Sequence, residues 1–490
     1  MTEKWIPVQD NQKITLRTLL CSQGKYSLAL NRDDMELACL QMIICMVQVI
    51  FMPNNFNLLE AFYNNPMDGE NYDKGVSHFQ DWFDVLHPKY PFMQTINKKK
   101  ETSLQKLFIG LPEKSSTSGS SNAHFNRVDE LKEIDLGRAT IALFQQATNG
   151  FSLGGRAFTK GLKGSMPITT LIYDESQNLR KTVWCNILDK KLLEQHIGNQ
   201  DVENKPSWVK PIAFNKNRPE YAHKIGLLRG LFYQPAKVKL EVNEQRKATG
   251  FFKEPGLSYI EGFWRHPHTP IGWKKNENKH YYISVNEKYL WKQMLSLLYT
   301  VSDQEGYSRA LVVDHYVNGI GRGKSINLSV GGYIKGKSTE SLAGRKHEIY
   351  SLKSGWSEKQ GEIIELVKCA LKAGKLLNDS IYSIGKNLKS EYSNQGKEGS
   401  NFIKKQLQPL TKQIYFNNSE SLIHETLRNL DFNKIQAYKK QFCSLAKNTF
   451  KETTQSYEHD PKLLKAIEYG RKYLNRKLNT LLVEGRRNAA

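Results

Sequence analysis

The chain has 490 residues, 39% of them hydrophobic and 11% aromatic, which suits two or three domains with real cores and excludes a disordered chain. Lys and Arg number 71 against 49 Asp and Glu, a formal net charge of +22, so the expected partner is a polyanion, most simply nucleic acid. The six cysteines, Cys21, Cys39, Cys45, Cys185, Cys369 and Cys443, form no C-x-x-C pair; this argues against a zinc ribbon or dithiol redox motif and fits a reducing, cytoplasmic setting.

Met1 to Pro7 lacks the apolar core of a signal peptide. Trp5 to Val8 reads as a short strand with Pro7 at an edge, and Ile14 to Leu20 as a strand or a helix start. The apolar run Leu37 to Met52 is too short for a membrane span and is interrupted by Gln41 and Gln48. It predicts a buried helix running to about Phe51, capped by Asn31 or Asp33 and carrying acids in its first turn. A second helix is expected over Val76 to Leu86, broken by Pro88 and Pro91.

Ser115 to Thr170 is the most distinctive stretch. A Ser/Gly-rich segment leads into the polar loop Asn122-Ala123-His124-Phe125-Asn126-Arg127. The apolar run Ala139 to Phe144 predicts a rigid element, and a Gly- and Lys-rich track follows over Gly150 to Gly164. Two loops braced by one rigid element suit the reading of a duplex. Asn offers a donor and an acceptor to a base edge, glycine admits close backbone approach, and Arg156, Lys160 and Lys163 can meet phosphates. The plain alternative is a surface loop with glycines that only turn the chain.

Met166 to Tyr173 and Lys181 to Leu188 read as strands. Gly226 to Leu240 reads as an apolar element, a turn at Gln234-Pro235 and a strand. Trp264 to Pro270 is a stiff turn before Trp273-Lys274-Lys275 and an aromatic strand at Tyr281 to Val285. Arg309 to Tyr316 and Ser325 to Tyr333 alternate like strands. From Gly355-Trp356 the pattern turns helical, with helices expected at Glu358 to Leu377, Phe402 to Ile414, Glu420 to Phe450 and Lys462 to Leu482, the last begun by Asp460-Pro461. Ser351 to Ala490 holds 25 basic and 14 acidic residues, a net +11, so half the charge excess lies in under a third of the chain. A basic bundle can track a nucleic-acid backbone or simply present a solvated face. The predicted fold class is α+β: a large mixed domain over 1–355, then an antiparallel four-helix bundle over 356–490.

Three motifs invite chemistry. Asn318 to Ser325 resembles a phosphate-binding loop, yet Asn318 stands where the pattern requires glycine, and strand flanks on both sides predict a basic hairpin loop. His266 and His268, or the pair His459-Asp460, would be the centre of a metal-dependent nuclease, the alternative function considered. Neither has a third ligand at convincing spacing, and Asp460 already serves as a helix cap. With no nucleophile beside an obvious base, the sequence favours binding over catalysis and calls for no metal and no cofactor.

Several blocks occur in a telling order: Trp5-Ile6-Pro7-Val8, Asn31 to Leu37, Pro91-Phe92-Met93-Gln94-Thr95, Ile141 to Phe144, Gly226 to Pro235 and His266-Pro267-His268. With them the chain resembles, over nearly its full length, the large subunit of the type I-E CRISPR surveillance complex Cascade, the CasA family. The resemblance implies a non-enzymatic subunit of a crRNA-containing complex. Such a subunit reads a protospacer-adjacent motif in double-stranded DNA, opens the neighbouring base pair and recruits a nuclease-helicase. It also implies site residues. The loop that contacts the motif falls on His124, Phe125 and Asn126; Asn126 matches the family's asparagine, while the two residues before it depart from an apolar pair. The minor-groove glycine loop falls on Gly154 and Gly155, and the groove lysine on Lys274 or Lys275. The strand-separating wedge, just after Gly331-Gly332-Tyr333, falls on Gly336 and Lys337, with lysine in place of an amide. The cysteine cluster of some relatives is missing, so no zinc is expected. On this reading the basic bundle holds the displaced single strand.

Overall fold

The computed structural model describes residues 2–95, 101–111, 130–150, 162, 166–197, 202–212, 220–234, 237–254, 260–274, 279–285, 289–302, 305–335, 342–391 and 399–487. They fall into two compact units, one of residues 1–288, 296–322 and 326–349, the other of 289–295, 323–325 and 350–490.

The first unit opens with an antiparallel pair, β1 (Ile6–Val8) and β2 (Gln12–Ile14), followed by α1 (Leu16–Cys21). Its centre is α2 (Asp33–Ile50), of whose eighteen residues fifteen are buried, so it has no solvent face to spare. The two glutamines that interrupt its apolar run are internal struts. Gln48 exchanges two hydrogen bonds with the Leu188 backbone at 2.7 and 2.9 Å, and Gln41 reaches Asn149 and His268. Arg32, not Asn31 or Asp33, holds the N-cap position, and its side chain makes no capping bond because it turns to Asp34. Among the described residues no helix is long and apolar enough to cross a membrane.

Around α2 lie α3 (Phe56–Asn64) and α4 (Gly69–Ser77); α4 ends at Ser77, so the helix expected over Val76 to Leu86 is reduced to a 3-10 turn, Gln80–Phe83. Asn55 and Asp68 cap α3 and α4 and so set their starts. The apolar run Ala139 to Phe144 belongs to α5 (Leu136–Thr148), begun by Asp135, whose carboxylate accepts from Arg138 N. Lys181 to Leu188 is not a strand: α6 (Leu179–Cys185) occupies it, because the Asn178 side chain caps Lys181 N and overrides the β-branched Thr182-Val183 pair. Behind it come α7 (Lys190–Ile197) and α8 (Leu227–Leu231).

Small sheets complete this unit. β8 (Lys247–Glu254) is flanked by β3 (Glu101–Thr102) and β4 (Ile134–Asp135) and forms a hairpin with β7 (Lys237–Val242). A short parallel pair joins β6 (Glu220–Tyr221) to β9 (Ile260–Glu261). β10 (Ile271–Lys274) lies between β11 (Lys279–Tyr282) and β12 (Glu305–Ser308), both antiparallel to it. After α9 (Met294–Leu298), Arg309 to Tyr316 is again helix and not strand, as α10 (Leu311–Asn318). The third sheet places β13 (Ile326–Lys335) between β5 (Thr169–Tyr173) and β14 (Leu342–Leu352), a strand the sequence reading omitted.

The second unit is helical. α11 (Gln360–Glu391) packs against α12 (Gln408–Arg428), α13 (Ile435–Thr454) and α14 (Pro461–Arg487). Its buried residues Ile363, Leu366, Val367, Ala370, Ala373, Leu377, Ile381 and Ile384 recur every three or four positions, which is one helical face. Gly470 lets α14 close on α11, since a Cβ there would stand 2.9 Å from Ile384. Glu420 to Phe450 is two helices. Asn429 ends the first, and Asp431 accepts from Asn433 N at 3.0 Å to start a short turn into the second. Asp460 caps α14 through Lys462 N, as its sequence context suggested.

Candidate nucleic-acid interface

Most of the expected DNA-reading residues, namely His124, Phe125, Asn126, Gly154, Gly155, Lys275, Gly336 and Lys337, lie outside the described residues. Lys274 is described: it is the exposed last residue of β10, in register with Lys279 and Glu305. What the structure does describe is where these segments begin and end.

Their ends come together. Ile109, Met166 and Tyr333 form one small buried apolar cluster, with Leu342 packed against it. Ile109 leads into the segment that holds His124 to Asn126, and Met166 follows the one that holds Gly154 and Gly155. Tyr333 and Leu342 stand on either side of Gly336 and Lys337. Described residues that neighbour three stretches distant in sequence thus meet at one point. The strand bearing Lys274 joins them through its neighbour: Ile168 N donates to Ile283 O at 2.9 Å, and Val285 bridges Ile334.

A buried polar network holds that point. The Asp34 carboxylate on α2 accepts from Arg32 Nε and Nη2 at 3.0 and 2.7 Å, Met35 N at 2.9 Å, Gln145 Nε2 at 2.9 Å and the Tyr333 hydroxyl at 2.7 Å. Arg32 Nη2 also donates to Ile109 O at 2.8 Å, and Gln145 Nε2 to the Tyr333 oxygen at 2.6 Å. Burial by itself would raise the Asp34 carboxyl, but the Arg32 guanidinium, with Tyr333 and Gln145, outweighs it and holds the group below the ordinary carboxylate range. Burial, then the neighbouring carboxylate, pushes the Tyr333 phenol well up, so it stays a neutral donor. One turn on, Asn149 donates to Gln41 at 2.9 Å and accepts from Thr169 at 3.0 Å, which ties the end of α5 to the start of β5. Both residues border the 151–165 segment.

The edge of this framework carries an ion pair. Arg345 on β14 pairs with Asp33 and lies 5.9 Å from the Tyr333 ring centroid. Burial, then Arg32, lowers it only to about 10, so it is charged at neutral pH. His347 is lowered to about 4 by burial and by Arg345, and is neutral there. The glycines before Tyr333 are required by packing: a Cβ on Gly331 would stand 2.3 Å from Leu37, and one on Gly332 2.7 Å from Val285.

A sequence model of the family described as CRISPR-associated protein Cse1 matches residues 1–455. The chain belongs to the Cse1 family. This bears out its resemblance to the type I-E large subunit. The Cse1 fold is found again in solved structures. Thermus thermophilus CasA (Cse1) is 16% identical with a TM-score of 0.71, each chain covered to 98%. Thermobifida fusca Cse1 is 14% identical with the same TM-score and coverage. A chain of a CRISPR RNA-guided surveillance complex is 16% identical with a TM-score of 0.68, covering 96% of this chain and 98% of its own.

The residues of the alternative nuclease are engaged elsewhere or stand apart. His266 and His268 are both buried, and their hydrogen bonds are structural: His266 Nδ1 accepts from His268 N at 3.1 Å, and His268 Nδ1 meets the Gln41 amide at 3.3 Å. His459 is exposed beside the helix-capping Asp460. Among the described residues no three His, Cys, Asp or Glu side chains are grouped to hold a metal ion. Asn318 to Ser325 is not a hairpin loop: it leaves a helix and enters a strand, the reverse of the order a phosphate-binding loop needs.

Sequence reading missed Asp34, Gln145 and Tyr333. It took Asp33, Asp34 and Glu36 together as partners of the helix dipole, whereas each has its own: Arg345 for Asp33, the network for Asp34, and Leu30 N at 3.1 Å for Glu36. The available signal was Asp34 sitting at helical spacing with the apolar residues of α2, on its inward face.

Proposed function

We propose that this chain is the non-catalytic large subunit of a cytoplasmic, RNA-guided CRISPR surveillance complex. In that role it reads a short motif in double-stranded DNA and starts its opening. Asn126, with His124 and Phe125, and the backbone of Gly154 and Gly155 would lie in the minor groove together with Lys274 or Lys275. Minor-groove readout is degenerate in hydrogen bonds, so specificity would be loose and helped by groove shape. Gly336 and Lys337 would form the wedge: the lysine stem inserts at the first base step while its ammonium reaches a phosphate. The wedge need only supply a few kcal/mol of unstacking before guide pairing takes over. The basic bundle would hold the displaced strand, and a nuclease-helicase would be recruited to the open target.

Beyond family membership, one observation supports this reading: described residues next to the three segments, far apart in sequence, meet in the Ile109–Met166–Tyr333 cluster. Loops that must act on adjacent base pairs need a common rigid base. In the assembled complex, Asn126→Ala and Lys337→Ala should each weaken binding to duplex target about tenfold, the range of one good base contact, and leave assembly intact. Gel-shift titration measures this, and unchanged affinity in both variants would overturn the site assignment.

A further inference from the structure

Two of the six cysteines meet inside the helical unit. Cys369 on α11 and Cys443 on α13 are both buried, and each thiol is the other's hydrogen-bond neighbour. Helix register brings them together. One turn earlier, Glu365 on α11 pairs with Lys439 on α13 across 74 residues, and the two cysteines stand at that same offset. Two rungs at one offset set α11 and α13 side by side and parallel. Three groups surround the thiols: the buried Lys439, Lys447 one turn beyond Cys443, and the fully buried Tyr415 of α12, whose hydroxyl donates to Ala370 O at 2.7 Å. Both thiols are free.

A single buried cysteine acts as a small apolar residue. Two in contact, with ammonium groups on one side, have the surroundings that activate a thiol. The hydrogen bond from Cys369, helped by Lys447 and Lys439, outweighs burial and holds the Cys443 thiol below its ordinary range. That same bond, with burial, raises Cys369. We propose that Cys369 and Cys443 are a redox modification site, joined in a disulfide by hydrogen peroxide. The Cys443 thiolate attacks one peroxide oxygen, the O–O bond breaks, and the departing hydroxide takes the thiol's proton to give water. The Cys369 sulfur then attacks the sulfenic acid at Cys443. The S–O bond breaks, and its hydroxide takes the Cys369 proton to give a second water. The two thiols lose two electrons and the peroxide gains them. Cys369 is 4% and Cys443 2% exposed, so a local opening admits a water-sized oxidant and excludes oxidised glutathione. The disulfide closes a long loop through α12, removes freedom from the unfolded chain and clamps α11 to α13.

The test treats the full chain with hydrogen peroxide, alkylates it without reductant, and maps the digest by mass spectrometry. The expected product is one crosslinked pair of peptides, Cys369 to Cys443, released by dithiothreitol. The thermal midpoint of the oxidised chain should rise by about 5 °C and return on reduction. Cys369→Ser should abolish the crosslink and the rise, and leave a sulfenic acid at Cys443 that dimedone traps. Cys369→Ala, which keeps the site apolar, gives the same readout should the serine variant fail to fold. Oxidised glutathione should add to neither thiol. Two thiols that remain open to alkylation after peroxide would overturn the proposal, as would a Cys443 sulfenic acid in the wild type that never becomes the disulfide. An unchanged midpoint in the crosslinked chain would overturn the clamp, and a glutathione adduct would overturn the selection by size.

Discussion

Asp34→Asn should destabilise the first unit by about 3 kcal/mol, the usual cost of removing one partner from a buried ion pair. The carboxylate accepts five hydrogen bonds, three at Oδ2, from Arg32, Gln145 and Tyr333. An amide has one oxygen, and its NH2 faces donors. Either way it is turned, bonds are lost and the Arg32 guanidinium keeps its charge without a counter-ion. Urea unfolding followed by tryptophan fluorescence measures the loss. The consequence for function is larger. With Tyr333 and Ile109 no longer held to α2, the proposed DNA-reading segments would lose their common anchor. Opening of the base step next to the motif, read with 2-aminopurine in the assembled complex, should fall severalfold at a temperature where the variant is still folded. Undiminished opening there would show that the network serves folding alone. The pH dependence has a definite sign. A carboxyl lowered in the folded state contributes stability fully present above its unfolded value, near 4, and lost as pH falls through its folded value. The wild type should therefore lose stability more steeply below about pH 4 than Asp34→Asn does.

Arg180→Met should cost about 1–3 kcal/mol, by a different route and without the functional loss. Arg180 is buried, and its Nη1 donates to Phe62 O at 2.7 Å, Tyr63 O at 3.2 Å and Asn65 O at 2.9 Å, carbonyls at the end of α3. One guanidinium satisfies the acceptors of that helix end and complements its dipole. Burial lowers its pKa, but an arginine remains charged, as this position requires. Methionine keeps most of the volume and none of the donors, so the carbonyls of half-buried Phe62 and Tyr63 lose their partner, at about 1–3 kcal/mol in all. Arg180 belongs to no part of the Asp34 network, so strand opening should match the wild type once the variant is folded. The pair of variants separates lost stability from lost loop support.

Helices with strong local signals were legible in the sequence. α2 announced itself by a near-continuous apolar face, and α14 by Asp460-Pro461. The bundle's periodicity was plain, though the turn at Asn429 to Asp431 was not read, despite two residues that favour one. Strand readings failed at Lys181 to Leu188 and Arg309 to Tyr316, where short β-branched runs lie in helices. There Asn178 and a tertiary bond from Val312 N to Pro267 O at 3.3 Å outweigh intrinsic preference.

Composition by itself determined a basic, folded chain, and resemblance to known sequences placed it with the type I-E large subunits. The first follows from residue type, which a sequence records directly. Only the tertiary structure decided that Arg32, Asp34, Gln145 and Tyr333 share one network, and that Ile109, Met166 and Tyr333 meet beside it. Such partners are separated by up to 299 positions, and a hydrogen bond at 2.7 Å depends on where the chain returns in space, which no local pattern encodes.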